Sequence, residues 1–133
     1  MKNDLRAIAT EARLRAYAPY SRFLVGAALS LEDDRVVSGC NIENVSFGLT
    51  ICAERVCAAK AVEQGVKSFK AMAIVADTDD PIVPCGACRQ FLAEFAPSLV
   101  ITTWTLKGIS REFSLADLLP LPNQGILQVP RGT

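Results

Sequence analysis

The chain has 133 residues with 14 Lys and Arg against 14 Asp and Glu, so its formal net charge is zero and no positive field exists to hold a nucleic-acid backbone. It has no histidine, which excludes His-dependent nucleophilic triads and means that any zinc site must use thiolates and carboxylates. The length suits one domain, 1–133. The charged start Met1-Lys2-Asn3-Asp4-Leu5-Arg6, the lack of a membrane-length apolar run and an odd number of cysteines lead us to expect a cytoplasmic protein with reduced thiols and no membrane partner.

Taken in order, residues 4–17 read as an amphipathic helix, with Leu5, Ile8, Ala9, Ala12 and Ala16 at helical spacing and Pro19 as its terminator. Phe23 to Leu31 reads as a strand whose alternate residues Phe23, Val25, Ala27, Leu29 and Leu31 share a face. The polar turn Glu32-Asp33-Asp34-Arg35 and a second strand, Val36 to Cys40, complete a hairpin. Asn41-Ile42-Glu43-Asn44 then leaves the sheet at a strand end, where α/β proteins place ligand-binding groups. On an extended segment Asn41 and Glu43 point to the same side, which suits gripping one sugar hydroxyl as donor and acceptor.

Ile51 to Gln64 is helical and Ala-rich, with Gly65 as C-cap, and Ala71 to Ala76 is a buried strand. A further helix starts near Cys85 and stops before Pro97. Strands follow at 99–106 and 111–113, then a short helix at 114–119 with a capping signal. Pro120, Pro122 and Pro130 keep the tail irregular. This order gives an α/β layer fold with a mixed sheet.

The chemistry resides in Cys52-Ala53-Glu54-Arg55 and Pro84-Cys85-Gly86-Ala87-Cys88-Arg89. Three thiolates can hold one zinc ion and leave a fourth position to water, and Glu54 can move that water's proton. Residues two apart in mid-helix point to opposite sides, so Cys52 and Glu54 must lie on a first turn, where free amides and the helix dipole favour thiolate. Cys85 and Cys88, three apart, share a face of the other first turn. Arg55 could donate to the sulfurs, with Arg89 a second candidate. Cys40 and Cys57 are expected in the core.

With Tyr20-Ser21-Arg22-Phe23-Leu24-Val25-Gly26-Ala27-Ala28, Asn41-Ile42-Glu43-Asn44, and the two cysteine motifs through Gln90, the chain resembles the short, three-cysteine cytidine deaminases. The resemblance implies a three-layer α-β-α fold with a mixed five-stranded sheet, a homotetramer, and hydrolysis of cytidine and 2′-deoxycytidine to the uridines with release of ammonia. It implies one zinc per chain on Cys52, Cys85 and Cys88, with Glu54 as proton shuttle and Arg55 damping the sulfur charge. Phe23 would pack on the pyrimidine, Asn41 and Glu43 hold the ribose 3′-hydroxyl, and the Ala53 amide meet the ring carbonyl.

Two positions depart from the family's pattern. Phe47 stands where Tyr is common, and Leu121-Pro122-Asn123 follows Leu118-Leu119-Pro120 where an aromatic is usual. These leave room for a modified cytosine nucleoside as substrate. The rival classes are a catalytically silent zinc-binding interaction protein and an editor of cytosine in nucleic acid, the latter disfavoured by the neutral charge.

Overall fold

The structure, a computed structural model, describes residues 4–122; Asn123 and Pro130 of the sequence reading lie outside them. Helix α1, Leu5–Arg13, opens on Asp4, whose carboxylate accepts the Ala7 amide at 3.1 Å. It ends short of the expected 17. The amides of Leu14, Arg15 and Ala16 reach back only three residues, and the Tyr17 amide and carbonyl are spent on Asn41 and Glu43. Pro19 is therefore not the terminator; competition from the 41–43 segment is.

Strand β1 (Val25–Leu31) starts two residues later than the pattern suggested. Arg22 takes a positive φ of 59°, and the Asn41 side chain, rather than a neighbouring strand, holds the Phe23 carbonyl and Val25 amide. Strand β2 (Val36–Cys40) is followed by a 3-10 turn at Phe47–Leu49 and by helix α2, Ala53–Glu63. Strand β3 (Phe69–Ala76) begins earlier than expected, because Phe69 is buried, pairs with Leu31 and packs its ring against Phe95. Helix α3 (Gly86–Phe95), strands β4 (Val100–Thr105) and β5 (Ser110–Ser114), and helix α4 (Leu115–Leu118) complete the described chain. Ser114 sits at the N-cap of α4 but makes no side-chain capping bond, so the capping signal marked the position and not the bond.

The five strands form one sheet in the order β2-β1-β3-β4-β5. Only β3 and β4 run parallel, and α3 makes the crossover that a parallel pair requires. Alternation along the strands divides the core between two faces. Val25, Ala27, Leu29, Leu31, Met72, Ile74 and Ile101 pack with α2 and α3, whereas Ala28, Ala73 and Val75 pack with Ala9 of α1. The result is three layers, α1 on one face and α2, α3 and α4 on the other.

Two glycines set the helix heights above the sheet. A Cβ on Gly26 would lie 1.9 Å from the Ala9 carbonyl oxygen, and one on Gly39 would lie 2.7 Å from the Ala53 oxygen. The second contact matters most for function, since Ala53 is in the first turn of α2. Backbone atoms cannot rotate away from a clash as a side-chain tip can. Gly26→Ala should therefore lower stability by about 2 kcal/mol or more in urea unfolding. Gly48→Ala, with nothing within 4 Å, should change it little.

Candidate active site where two helices begin

Both helices α2 and α3 begin at a cysteine. Cys52 (φ −72°, ψ 155°) and Cys85 (φ −68°, ψ 166°) are extended N-cap residues, and neither thiol caps its own helix. Helix α2 cannot start at Ile51, as the sequence pattern suggested, because Ile51 exchanges backbone hydrogen bonds of 2.9 Å with Ile42. The Cys52 carbonyl accepts the first helical bonds, from Arg55 and Val56 at 3.1 Å. Cys52 thus precedes the first turn and Glu54 lies within it.

The Sγ atoms of Cys52, Cys85 and Cys88 lie within 4.8 Å of one another, and those of Cys52 and Cys85 are 3.7 Å apart. Two sulfurs on a tetrahedral zinc with bonds of about 2.3 Å are roughly 3.8 Å apart, so the donor set fits zinc. No other such group of potential ligands occurs among the described residues. A hydrogen bond from Cys88, followed by contact with Arg55, lowers the Cys52 thiol to about 5, and the same hydrogen bond holds the Cys88 proton on more tightly.

Glu54 is 4% exposed, and that burial pushes its carboxyl up to about 7. Arg55 places Nη2 3.2 Å from the Thr50 carbonyl oxygen and 3.7 Å from Cys52 Sγ. Arg89 does something else. Its Nε donates to the Pro84 carbonyl at 2.8 Å and its Nη1 to that of Leu118 at 3.1 Å. Two carbonyls outcompete a sulfur for a planar guanidinium, so Arg89 ties the residue before Cys85 to the end of α4. Cys57 is buried, with its thiol directed at the Val37 carbonyl and its pKa raised by burial. Cys40, by contrast, is only half-buried on the outer strand β2, so it is not the core residue expected.

Beside the sulfurs, Asn41, Ile42 and Glu43 form an extended strap bridged to Tyr17 on one side and Ile51 on the other. Asn41, 8% exposed, accepts the Val25 amide at 2.9 Å and donates to the Phe23 carbonyl at 2.8 Å. Glu43 accepts the amides of Tyr20 and Ser21 at 3.0 and 3.1 Å and the Ser21 hydroxyl. The Ser21 hydroxyl, with help from the two amides, holds the Glu43 carboxyl below its ordinary value. Phe23 remains partly exposed between these clamps.

A cleft of about 310 Å³ is lined by Tyr20, Ser21, Glu43, Phe47 and Thr50. The Phe47 ring meets Tyr20 edge-on at 5.7 Å. Sequence reasoning assigned no role to Tyr20, Ser21 or Thr50. The available signal was a serine two residues after a proline and two before an aromatic, a turn pattern in which the hydroxyl serves the backbone.

Residues 1–103 match the family model described as the cytidine and deoxycytidylate deaminase zinc-binding region. A cytidine deaminase of Sporosarcina psychrophila is 53% identical over 117 residues, covering 87% of this chain and 86% of that protein. One of Halalkalibacterium halodurans is 50% identical over 113 residues, 84% of this chain and 86% of the relative. The crystal structure of cytidine deaminase from Burkholderia pseudomallei superposes with a TM-score of 0.85 at 47% identity, over 87% of this chain and 94% of that one.

Removing the Arg89 guanidinium strands two carbonyls beside the sulfurs. Arg89→Ala should cost about 1–3 kcal/mol and release zinc to a chelator several-fold faster than wild type, with Arg89→Lys in between. Elemental analysis of the purified wild type should give about one zinc per chain, falling sharply in Cys88→Ala.

Proposed function

The chain belongs to the cytidine and deoxycytidylate deaminase zinc-binding family, and from that premise we propose that it hydrolyses cytidine and 2′-deoxycytidine to uridine and 2′-deoxyuridine, releasing ammonia. The observation that carries this reading is the buried Glu54 carboxyl in the first turn of α2, the helix whose N-cap Cys52 joins two cysteines of α3 in a three-sulfur cluster fitted to zinc. Cys52, Cys85 and Cys88 would hold the ion, which when bound would supply the electrophilic pull that lets a water act as nucleophile near neutral pH.

The rest is done by this chain's own side chains. Glu54 takes the water's first proton, delivers it to the pyrimidine N3, and then carries the second proton, from the hydroxyl now on C4, to the departing amine as the C4–N4 bond breaks. The oxygen of that water stays on C4, so one water is consumed for each ammonia released. Burial keeps bulk water from competing for the proton. The Ala53 amide, unpaired at the start of α2, meets the ring carbonyl, and Phe23 offers its face to the pyrimidine. Arg55, beside Cys52 Sγ, draws charge from the sulfur and so preserves the ion's acidity.

Capacity for hydrogen bonding supports a sugar at Asn41 and Glu43. A carboxylate has about four acceptor positions, and Glu43 spends two on amides through Oε1 and one on Ser21 through Oε2. One acceptor remains. Asn41 likewise keeps one of its two amide hydrogens. One donor and one acceptor together match a single hydroxyl, which we assign to the sugar 3′ position.

The exposed apolar residues Val45, Phe47 and Leu49 near the cleft support assembly as a homotetramer in which a neighbouring copy covers them. Five free thiols support residence in the cytoplasm. No helix among the described residues is long and apolar enough to cross a membrane. The balanced charge supports a free nucleoside in preference to a polymer as substrate.

Glu54→Gln should lower the rate of cytidine absorbance loss and ammonia release by roughly 10²-fold or more while keeping the zinc content of wild type. An equal rate in that variant would remove Glu54 from the reaction.

A further inference from the structure

We propose that Ser21 is a positioning residue that fixes how the site reads the sugar, acting through Glu43 and Phe23. This rests on the nucleoside deaminase reading above. The Ser21 hydroxyl stands between two groups with separate tasks. It donates to Glu43 Oε2, the oxygen that keeps one acceptor position open, and it accepts the Phe23 amide at 3.0 Å. Its own amide donates to Glu43 Oε1 at 3.1 Å, so Ser21 meets both carboxylate oxygens.

Each partner is held from a second direction. The Tyr20 amide fixes Glu43 Oε1 at 3.0 Å, and Asn41 fixes the Phe23 carbonyl at 2.8 Å. Between these clamps the backbone at Arg22 adopts φ 59°, a left-handed conformation that a side-chain-bearing residue keeps only when its neighbours enforce it. Deleting the hydroxyl leaves the two amide bonds to Oε1 intact. The carboxylate then pivots about Oε1, and Oε2 gains a second open position with no fixed direction. The carboxylate still carries its charge, yet it no longer aims one lone pair at one hydroxyl.

A single hydroxyl group on the substrate and a single hydroxyl group on the enzyme should therefore be coupled. The test measures kcat/KM for 2′-deoxycytidine and 2′,3′-dideoxycytidine, which differ only at the 3′ position, in wild type, Ser21→Ala, Ser21→Cys and Ser21→Thr. Loss of the 3′-hydroxyl should cost wild type roughly 10- to 100-fold, as expected for a hydrogen bond to a charged group. That penalty should shrink to about 3-fold or less in Ser21→Ala and Ser21→Cys, and return to the wild-type value in Ser21→Thr. The cysteine variant serves should the alanine variant fail to fold.

A merely structural serine would lower both substrates by the same factor and leave the penalty unchanged, which would overturn the proposal. So would a wild type that shows no 3′ penalty while deaminating cytidine. A wild type that retains its zinc but turns over neither cytidine nor 2′-deoxycytidine would overturn the deaminase reading, and the role of Ser21 with it.

Discussion

Two α-helices that start on cysteines, with no side chain to satisfy their first amides, impose the main constraint on this molecule. A helix N-terminus left uncapped holds free donors and a partial positive charge. Most proteins neutralise that end with Ser, Thr, Asp or Asn, as α1 does with Asp4. At α2 and α3 the same position is given to a thiol that makes no capping bond. The positive ends are thus directed at sulfur, and bringing three sulfurs within 4.8 Å becomes electrostatically tolerable. The sheet order, the crossover through α3 and the close approach at Gly39 all serve to hold those two ends together.

Around that centre the polar loops form a second, separate construction. Asn41 and Glu43 do not wait as free side chains at the mouth of a cleft. They organise residues 20–25 through hydrogen bonds to the backbone. Pre-organisation of this kind means that a ligand need not order the groups that recognise it. It also explains why residues read as binding groups from sequence are, in the fold, hydrogen-bonded to backbone.

The strands and the two cysteine motifs were legible in the sequence because they depend on short-range signals: alternation, a three-residue spacing, and a Glu two places after a Cys. Element ends were less so. Helix α1 stops early because the Tyr17 backbone is claimed by residues 41–43, and β1 starts late because the Asn41 side chain replaces a strand partner. Both are contacts between distant parts of the chain, invisible to local pattern. Arg89 shows the same limit at the site. Adjacent to a ligand in sequence, it pointed toward the sulfurs on proximity alone, whereas its planar fork finds carbonyls on two other elements. Ser21 carried no chemistry of its own in the sequence, since a lone hydroxyl acquires meaning only from what stands on either side.

The parallel pairing of β3 with β4 has a further consequence for how the molecule is made. Cys52 and Cys85 lie 33 positions apart, and the crossover that carries α3 ends only in β4, Val100–Thr105, which docks beside β3. A nascent polypeptide leaving the ribosome therefore exposes all three thiols before the strand that completes this crossover has emerged. Until it does, those sulfurs depend on a reducing surrounding to stay unoxidised.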